Sequence, residues 1–191
     1  MPCFVDSIII LKEILSKSFL SIKEANDNDL FSLDDLFTQL QLGTDMFDDT
    51  ATEDFIKEIW KESPNNNLRE ELDSGIAALM EGKYNKALTS FESIVEADPH
   101  YAEGWSKLAT VHYMLGSVDK SLEAAEQALL IDSRNFQALA GMGLVYMDTA
   151  SRYDKAIERF RQCLAVHPWL GTASSRLAQC MSKEDTTKSI G

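Results

Sequence analysis

The side chains of this chain best suited to metal or nucleophilic chemistry are three histidines, His100, His112 and His167, and three cysteines, Cys3, Cys163 and Cys180. A metal centre needs several such ligands at short fixed spacings or on one helix face. Covalent catalysis needs a nucleophile, a base and a group that orients the base. These six residues are scattered, and no glycine-rich phosphate loop, nucleophile elbow or paired histidines on a helix face accompanies them. No catalytic residue, metal or cofactor is therefore expected, and the chain reads as non-enzymatic. His112 and Cys163 fall at helical core spacings, where a packed imidazole and a packed thiol are the simpler reading. Cysteines odd in number and without a pairing pattern fit a reducing compartment, the cytoplasm, better than a disulfide framework.

The elements that carry these residues are helical by composition. The 191 residues are 45% hydrophobic and 26% charged with only four prolines and nine glycines, enough for one apolar core with a tail and rich in helix-favouring residues. The formal net charge of -13 is uneven, since Glu24 to Asp54 holds ten acidic residues and no Lys or Arg. That sign opposes binding to a phosphate backbone or an anionic lipid surface, so neither nucleic acid nor membrane is the expected partner. The acidic stretch reads either as a contact surface for a basic partner or as a solvated lead segment. Near the N-terminus, the apolar run Ile8 to Leu11 is broken by Asp6, Lys12 and Glu13 well short of a membrane span. It lacks the basic start of a signal peptide and the arginines of a presequence, so targeting to an organelle has little support.

Self-comparison yields a period of 34. Gly75, Ala109 and Gly143 stand 34 apart, as do Gly82, Gly116 and Ala150. Ala87, Ser121 and Ala156, then Phe91, Ala125 and Phe160, then Ile94, Ala128 and Cys163, then Pro99, Ser133 and Pro168, follow in register once one extra residue is allowed near Ala150 to Arg152. Such a period in a helical chain means stacked helical hairpins. The small residues permit close approach of the paired helices, Gly82 and Gly116 suit a left-handed helix end, and the prolines stop the second helix. Ser133 leaves a softer boundary in the middle repeat.

These residues resemble the tetratricopeptide repeat family. Trp105 and Leu108, with His112 in a Tyr place, come from one repeat. Gly143, Tyr146, Ala156, Phe160 and Pro168 come from the next, and Gly75, Gly82, Tyr84, Ala87, Phe91 and Pro99 from the first. The stretches AEGWSKLATVHYMLG and NFQALAGMGLVY also look similar to bacterial and plant organelle repeat proteins of unassigned role. The resemblance implies an all-α, right-handed superhelix of antiparallel hairpins at 68–101, 102–135 and 136–170, with a capping helix at 171–182 and a disordered tail at 183–191. It also implies a concave groove lined by the first helices. Their inward positions are Arg69, Leu72, Ile76 and Leu79, then Glu103, Ser106, Thr110 and Tyr113, then Gln137, Ala140, Leu144 and Met147. Chaperone-binding members grip a C-terminal carboxylate with a clamp of basic and amide side chains. The matching positions here are Leu72, Ile76, Lys107, Gln137 and Gly141, a set that argues against heat-shock chaperones as partners.

Upstream, residues 33–67 read as a degenerate hairpin, from the spacing of Leu33, Leu36, Phe37 and Leu40 and of Phe55, Ile56, Ile59 and Trp60. Residues 1–32 read as partly disordered or as one amphipathic helix. The stripe Leu68, Leu72, Ile76 and Leu79 requires a cover. It is either the chain's own helix at Phe55 to Trp60 or Phe4 to Leu15, or a partner helix. The expected function is a protein-interaction adaptor, scaffold or assembly factor that binds a peptide or helix in the groove. The competing expectation is a non-catalytic regulatory or substrate-presenting subunit of an enzyme complex.

Overall fold

The computed structural model describes residues 33–42, 49–62, 66–149 and 152–190. By its contacts the chain divides into two units between Asp34 and Asp35, and the described residues lie, but for Leu33 and Asp34, in the second. Residues 1–32, with the segment Phe4 to Leu15 among them, fall outside the described residues.

Every element among the described residues is a helix: α1 (Leu33–Leu42), α2 (Asp49–Lys61), α3 (Asn66–Met80), α4 (Tyr84–Ala97), α5 (Ala102–Met114), α6 (Val118–Ile131), α7 (Phe136–Thr149), α8 (Tyr153–Val166) and α9 (Gly171–Ile190). The helices α3 to α9 pack each on its neighbour in the chain. The first helices of successive hairpins, α3 with α5 and α5 with α7, also meet, so the hairpins stack in sequence order with α9 against α8 and α7.

The 34-residue period has visible causes. Gly82 and Gly116 sit at φ +73° and +74°, and each ends its helix in a Schellman turn: in the first, Lys83 N–H reaches the Ala78 carbonyl at 2.8 Å and Gly82 N–H the Leu79 carbonyl at 3.1 Å. In the third hairpin the equivalent bond, from Arg152 N–H to the Tyr146 carbonyl at 3.2 Å, spans one residue more, which absorbs the insertion. A Cβ on Gly75 would stand 2.5 Å from the Phe91 ring, and one on Gly143 2.7 Å from the Phe160 ring. Both phenylalanines are fully buried. The middle repeat has Ala109 and Ala125 at the matching positions, both buried, and Ser121 Oγ donates to the Ala109 carbonyl at 2.8 Å. Where Ser133 replaces proline, the turn keeps its form. Asp132 Oδ1 accepts from Arg134 N–H at 2.9 Å, as Asp98 Oδ1 accepts from His100 N–H at 3.0 Å.

Two expectations need correction. The capping helix does not stop at Ser182 but runs on to Ile190, since residues 183–190 contain neither Gly nor Pro to end it, and Lys183 lies over the Tyr153 ring. Residues 33–61 do form two helices, but these do not stack ahead of α3 as a further repeat. Besides the contact of Glu58 with Arg69 of α3, α2 packs on α5 and on the turns that follow the repeats, because its apolar face finds cover there.

Candidate functional site

The helix α2 turns Thr52, Ile56 and Trp60, each four residues after the last, toward the protein, and all three are buried. Three polar bonds fix it along the inter-repeat turns. At its C-terminal end Tyr101 O–H donates to the Lys61 carbonyl at 2.8 Å. One residue back, the Trp60 indole N–H donates to Asp132 Oδ2 at 2.9 Å, and the indole packs 5.0 Å from the Phe136 ring and 6.1 Å from Phe37 of α1. Near the other end Glu53 Oε2 meets His167 Nε2 at 3.1 Å, with the imidazole edge-on to Phe136 at 5.0 Å. The three turns touched by α2 thus follow the first, second and third repeats in order. From α1, Gln41 donates to the Ala165 carbonyl at 3.2 Å, and the Arg134 guanidinium lies 4.5 Å over the Phe37 ring.

Burial works against the charge on Glu53, yet hydrogen bonds from Lys57 and His167 prevail and hold its carboxyl below its ordinary value. Burial, with Glu103 nearby, raises the Tyr101 phenol. His112 is lowered, first by burial and then by Lys120. Burial pushes the Cys163 thiol up to about 12, and Cys163 Sγ donates to the Phe136 carbonyl at 3.4 Å. That is a packed thiol and not a nucleophile.

Between α2 and the first helices lies a cleft of about 440 Å³, walled by Glu53, Lys57 and Lys61 on one side and by Ile76, Glu103, Lys107, Phe136, Gln137 and Ala140 on the other, with Leu170 and Thr172 at its end. The α2 helix therefore lies over the groove. Among the inward residues expected from the sequence, Leu72, Glu103, Ser106 and Met147 are buried and present no surface. Ile76, Leu79, Thr110, Tyr113, Gln137, Ala140 and Leu144 are half-buried. Leu72, Glu103 and Ser106 lie in the first halves of α3 and α5, the half of the groove that α2 crosses, whereas Met147 is buried in the last turn of α7. Further along the helices the groove stays partly open, where Tyr113 O–H donates to Asp148 Oδ2 at 2.7 Å.

The clamp positions are also clear. Lys107 Nζ sits 2.8 Å from Glu103 Oε1 and 2.7 Å from Gln137 Oε1, so the one cation of the set is already neutralised within the groove. The residues that sequence reasoning left unassigned are Glu53, Asp132, Phe136 and the latching role of His167. Only the i, i+4, i+8 pattern of Thr52, Ile56 and Trp60 could have announced a docking face.

Antiparallel hairpins of this period, stacked with their first helices on the concave side, define a superhelical repeat scaffold. Residues 78–147 match the family model described as tetratricopeptide repeat. A TPR repeat-containing protein of Rhizobium etli is 28% identical over 153 residues, covering 79% of this chain and 74% of that one. Among solved structures, the Sgt2 TPR domain from Aspergillus fumigatus superposes with a TM-score of 0.62 at 21% identity, over 66% of this chain and 84% of that one. The second TPR domain of human RPAP3, solved in complex with an HSP70 peptide, does so with a TM-score of 0.54 at 22% identity, over 58% of this chain and 92% of that one. Residues 78–147 thus carry tetratricopeptide repeats, and a fold of this kind supports a protein–protein interaction module.

Proposed function

We propose that this protein is a non-enzymatic adaptor, scaffold or assembly factor that holds a peptide or helix of another protein in its concave groove, inside a reducing compartment. The observation that carries this reading is that the groove is already shaped for a helix: α2 lies over one half of it, while Leu79, Tyr113 and Leu144 keep surface along the other. A groove lined by apolar, aromatic and weakly polar side chains suits an amphipathic segment. It does not suit a free carboxylate, because Lys107 is committed to Glu103 and Gln137 and Leu72 and Ile76 stand where a clamp needs polar groups. Nucleic acid and anionic membranes are disfavoured by the net charge of -13. Among the described residues no helix is long and apolar enough to cross a membrane.

The test is affinity purification with the full chain and with a variant carrying Leu79→Glu and Leu144→Glu, both checked for unchanged helix content. A partner recovered by the first and reduced at least tenfold on the second supports the groove reading. Equal recovery on both removes it. Should the groove-dependent partner be a catalytic subunit in stoichiometric amount, the second reading, a regulatory or substrate-presenting subunit, replaces the adaptor.

A further inference from the structure

The seat of α2 is imperfectly filled. Glu103 is 1% exposed at the floor of the cleft. One of its oxygens faces Lys107, and the other has no hydrogen-bond partner among the described residues. An ionised carboxylate accepts several hydrogen bonds, and a buried one left short of donors is costly. Lys57 and Lys61 of α2 border the same cleft but are bound to acids of their own helix: Lys57 pairs with Glu53 and, at 3.7 Å, with Asp54, and Lys61 pairs with Glu58 at 2.6 Å. The resident helix thus brings cations to the acid and withholds them. The floor and the helix over it are separated by an open cleft instead of being close-packed.

We propose that the seat of α2 is a binding site for a basic amphipathic helix of a partner protein, and that α2 is a resident stand-in which this partner displaces. The required chemistry can be read from the seat. Two apolar anchors four residues apart take the places of Ile56 and Trp60, the second of them aromatic against Phe136. A Lys or Arg without acidic neighbours on its own helix reaches Glu103. The chain's net charge of -13 favours a basic arrival over an acidic one. Displacement requires release of the Trp60–Asp132 and Glu53–His167 bonds, while Arg69, 3.4 Å from Glu58, lies at the junction about which α2 would swing.

This inference deepens the interaction reading above and fails separately from it, because it concerns the half of the groove beneath α2, not Leu79 and Leu144. The probe is a fluorescent peptide of residues 49–61 carrying Asp54→Lys and Glu58→Lys. It is titrated into the full chain, into the full chain with Ile56→Asp, and into the full chain with both Ile56→Asp and Glu103→Gln. The Ile56→Asp chain should bind at least tenfold more tightly than the unaltered chain, Glu103→Gln should remove about tenfold of that gain, and the peptide of native sequence should bind more weakly than the basic one. Trp60→Ala serves as the unseating change if Ile56→Asp lowers the helix content of the repeats. Equal binding to seated and unseated chains, indifference to Glu103→Gln, or no binding to a folded unseated chain overturns the proposal. So does dimerisation of the unseated chain with added unaltered chain, which makes a second copy's α2 the occupant.

Discussion

The repeats and α2 are both helices packed on helices, yet they are held in place by different means. Within a hairpin the contacts are close and apolar. Phe91 and Phe160 lie against glycines that leave no room for a methyl group, and the partners are near in sequence. Across the seat of α2, Ile56 and Trp60 supply apolar burial, but position is set by single polar bonds between distant residues, Trp60 to Asp132 and Glu53 to His167, beside an open cleft. Close packing is cooperative and hard to reverse, since any movement forfeits many contacts at once. A helix hung on a few polar bonds can leave without disturbing what lies beneath. The difference separates a scaffold from the part of the molecule able to exchange.

The largest effect should come from breaking the first kind of contact. Phe160→Ala removes a side chain 1% exposed from a site that Gly143 cannot fill, and should cost about 3–5 kcal/mol. Urea unfolding followed by circular dichroism should show the loss as a lower midpoint for the whole repeat array. A separate early transition confined to α8 and α9 would mean that the hairpins unfold independently.

A smaller effect, and one of a different kind, should follow removal of the second. A chain beginning at Asn67 loses α1 and α2 and with them the cover of one half of the groove. Burial of a side chain such as Ile56 or Trp60 contributes on the order of 2 kcal/mol before ordering costs, so the truncated chain should melt modestly lower than the full one. It should bind apolar dyes more strongly and self-associate more readily, because Leu72 and its neighbours become surface. Unchanged dye binding and an unchanged melting temperature would show that α2 covers nothing of consequence.

The two regions also differed in how far the sequence revealed them. The hairpins were legible because a repeat states each contact three times: Gly75 with Phe91, Gly143 with Phe160, and the Ala109 and Ala125 pair between them identify one packing rule by its variations. The inward positions expected on α3, α5 and α7 rest on the same register. The helices α1 and α2 were visible as apolar spacings, and self-cover of the groove was one of two open readings, but their destination was not legible. Nothing local in Trp60 points to Asp132, 72 residues away, or in Glu53 to His167, 114 residues away. Such bonds are made once and leave no period. His167 accordingly read as one of three scattered histidines, and Glu103 as an open groove position instead of a buried acid. The far end of α9 was misjudged for the opposite reason, since a polar helix surface looks like a tail when no partner is in view.

The smallest expected effect concerns His112, which stands where the third repeat has Tyr146. His112 is 6% exposed, and its Nδ1 has no hydrogen-bond partner among the described residues. Burial and, second, the charge of Lys120 hold its pKa below the ordinary 6.5, against weaker opposing fields from Glu92 and Glu123. A base whose folded pKa is lowered takes up its proton more readily in the unfolded chain. The stability it confers is therefore complete above pH 6.5 and is lost as pH falls from 6.5 toward the lower folded value. Glu53 titrates in a separate window. Its lowered carboxyl keeps its contribution above 4.5, the ordinary value, and loses it as pH falls further. Replacing His112 with the residue of the third repeat, His112→Tyr, should leave the melting temperature at pH 7.5 within a few degrees of the parent and flatten its decline between pH 6.5 and 5. The decline below pH 4.5 should persist, because the Glu53 and His167 bond is untouched. Thermal melts of both chains across that range check the sign. A parent chain that gains stability on acidification from pH 6.5 to 5, or a variant with the same slope as its parent, would show that His112 is not held neutral by its surroundings.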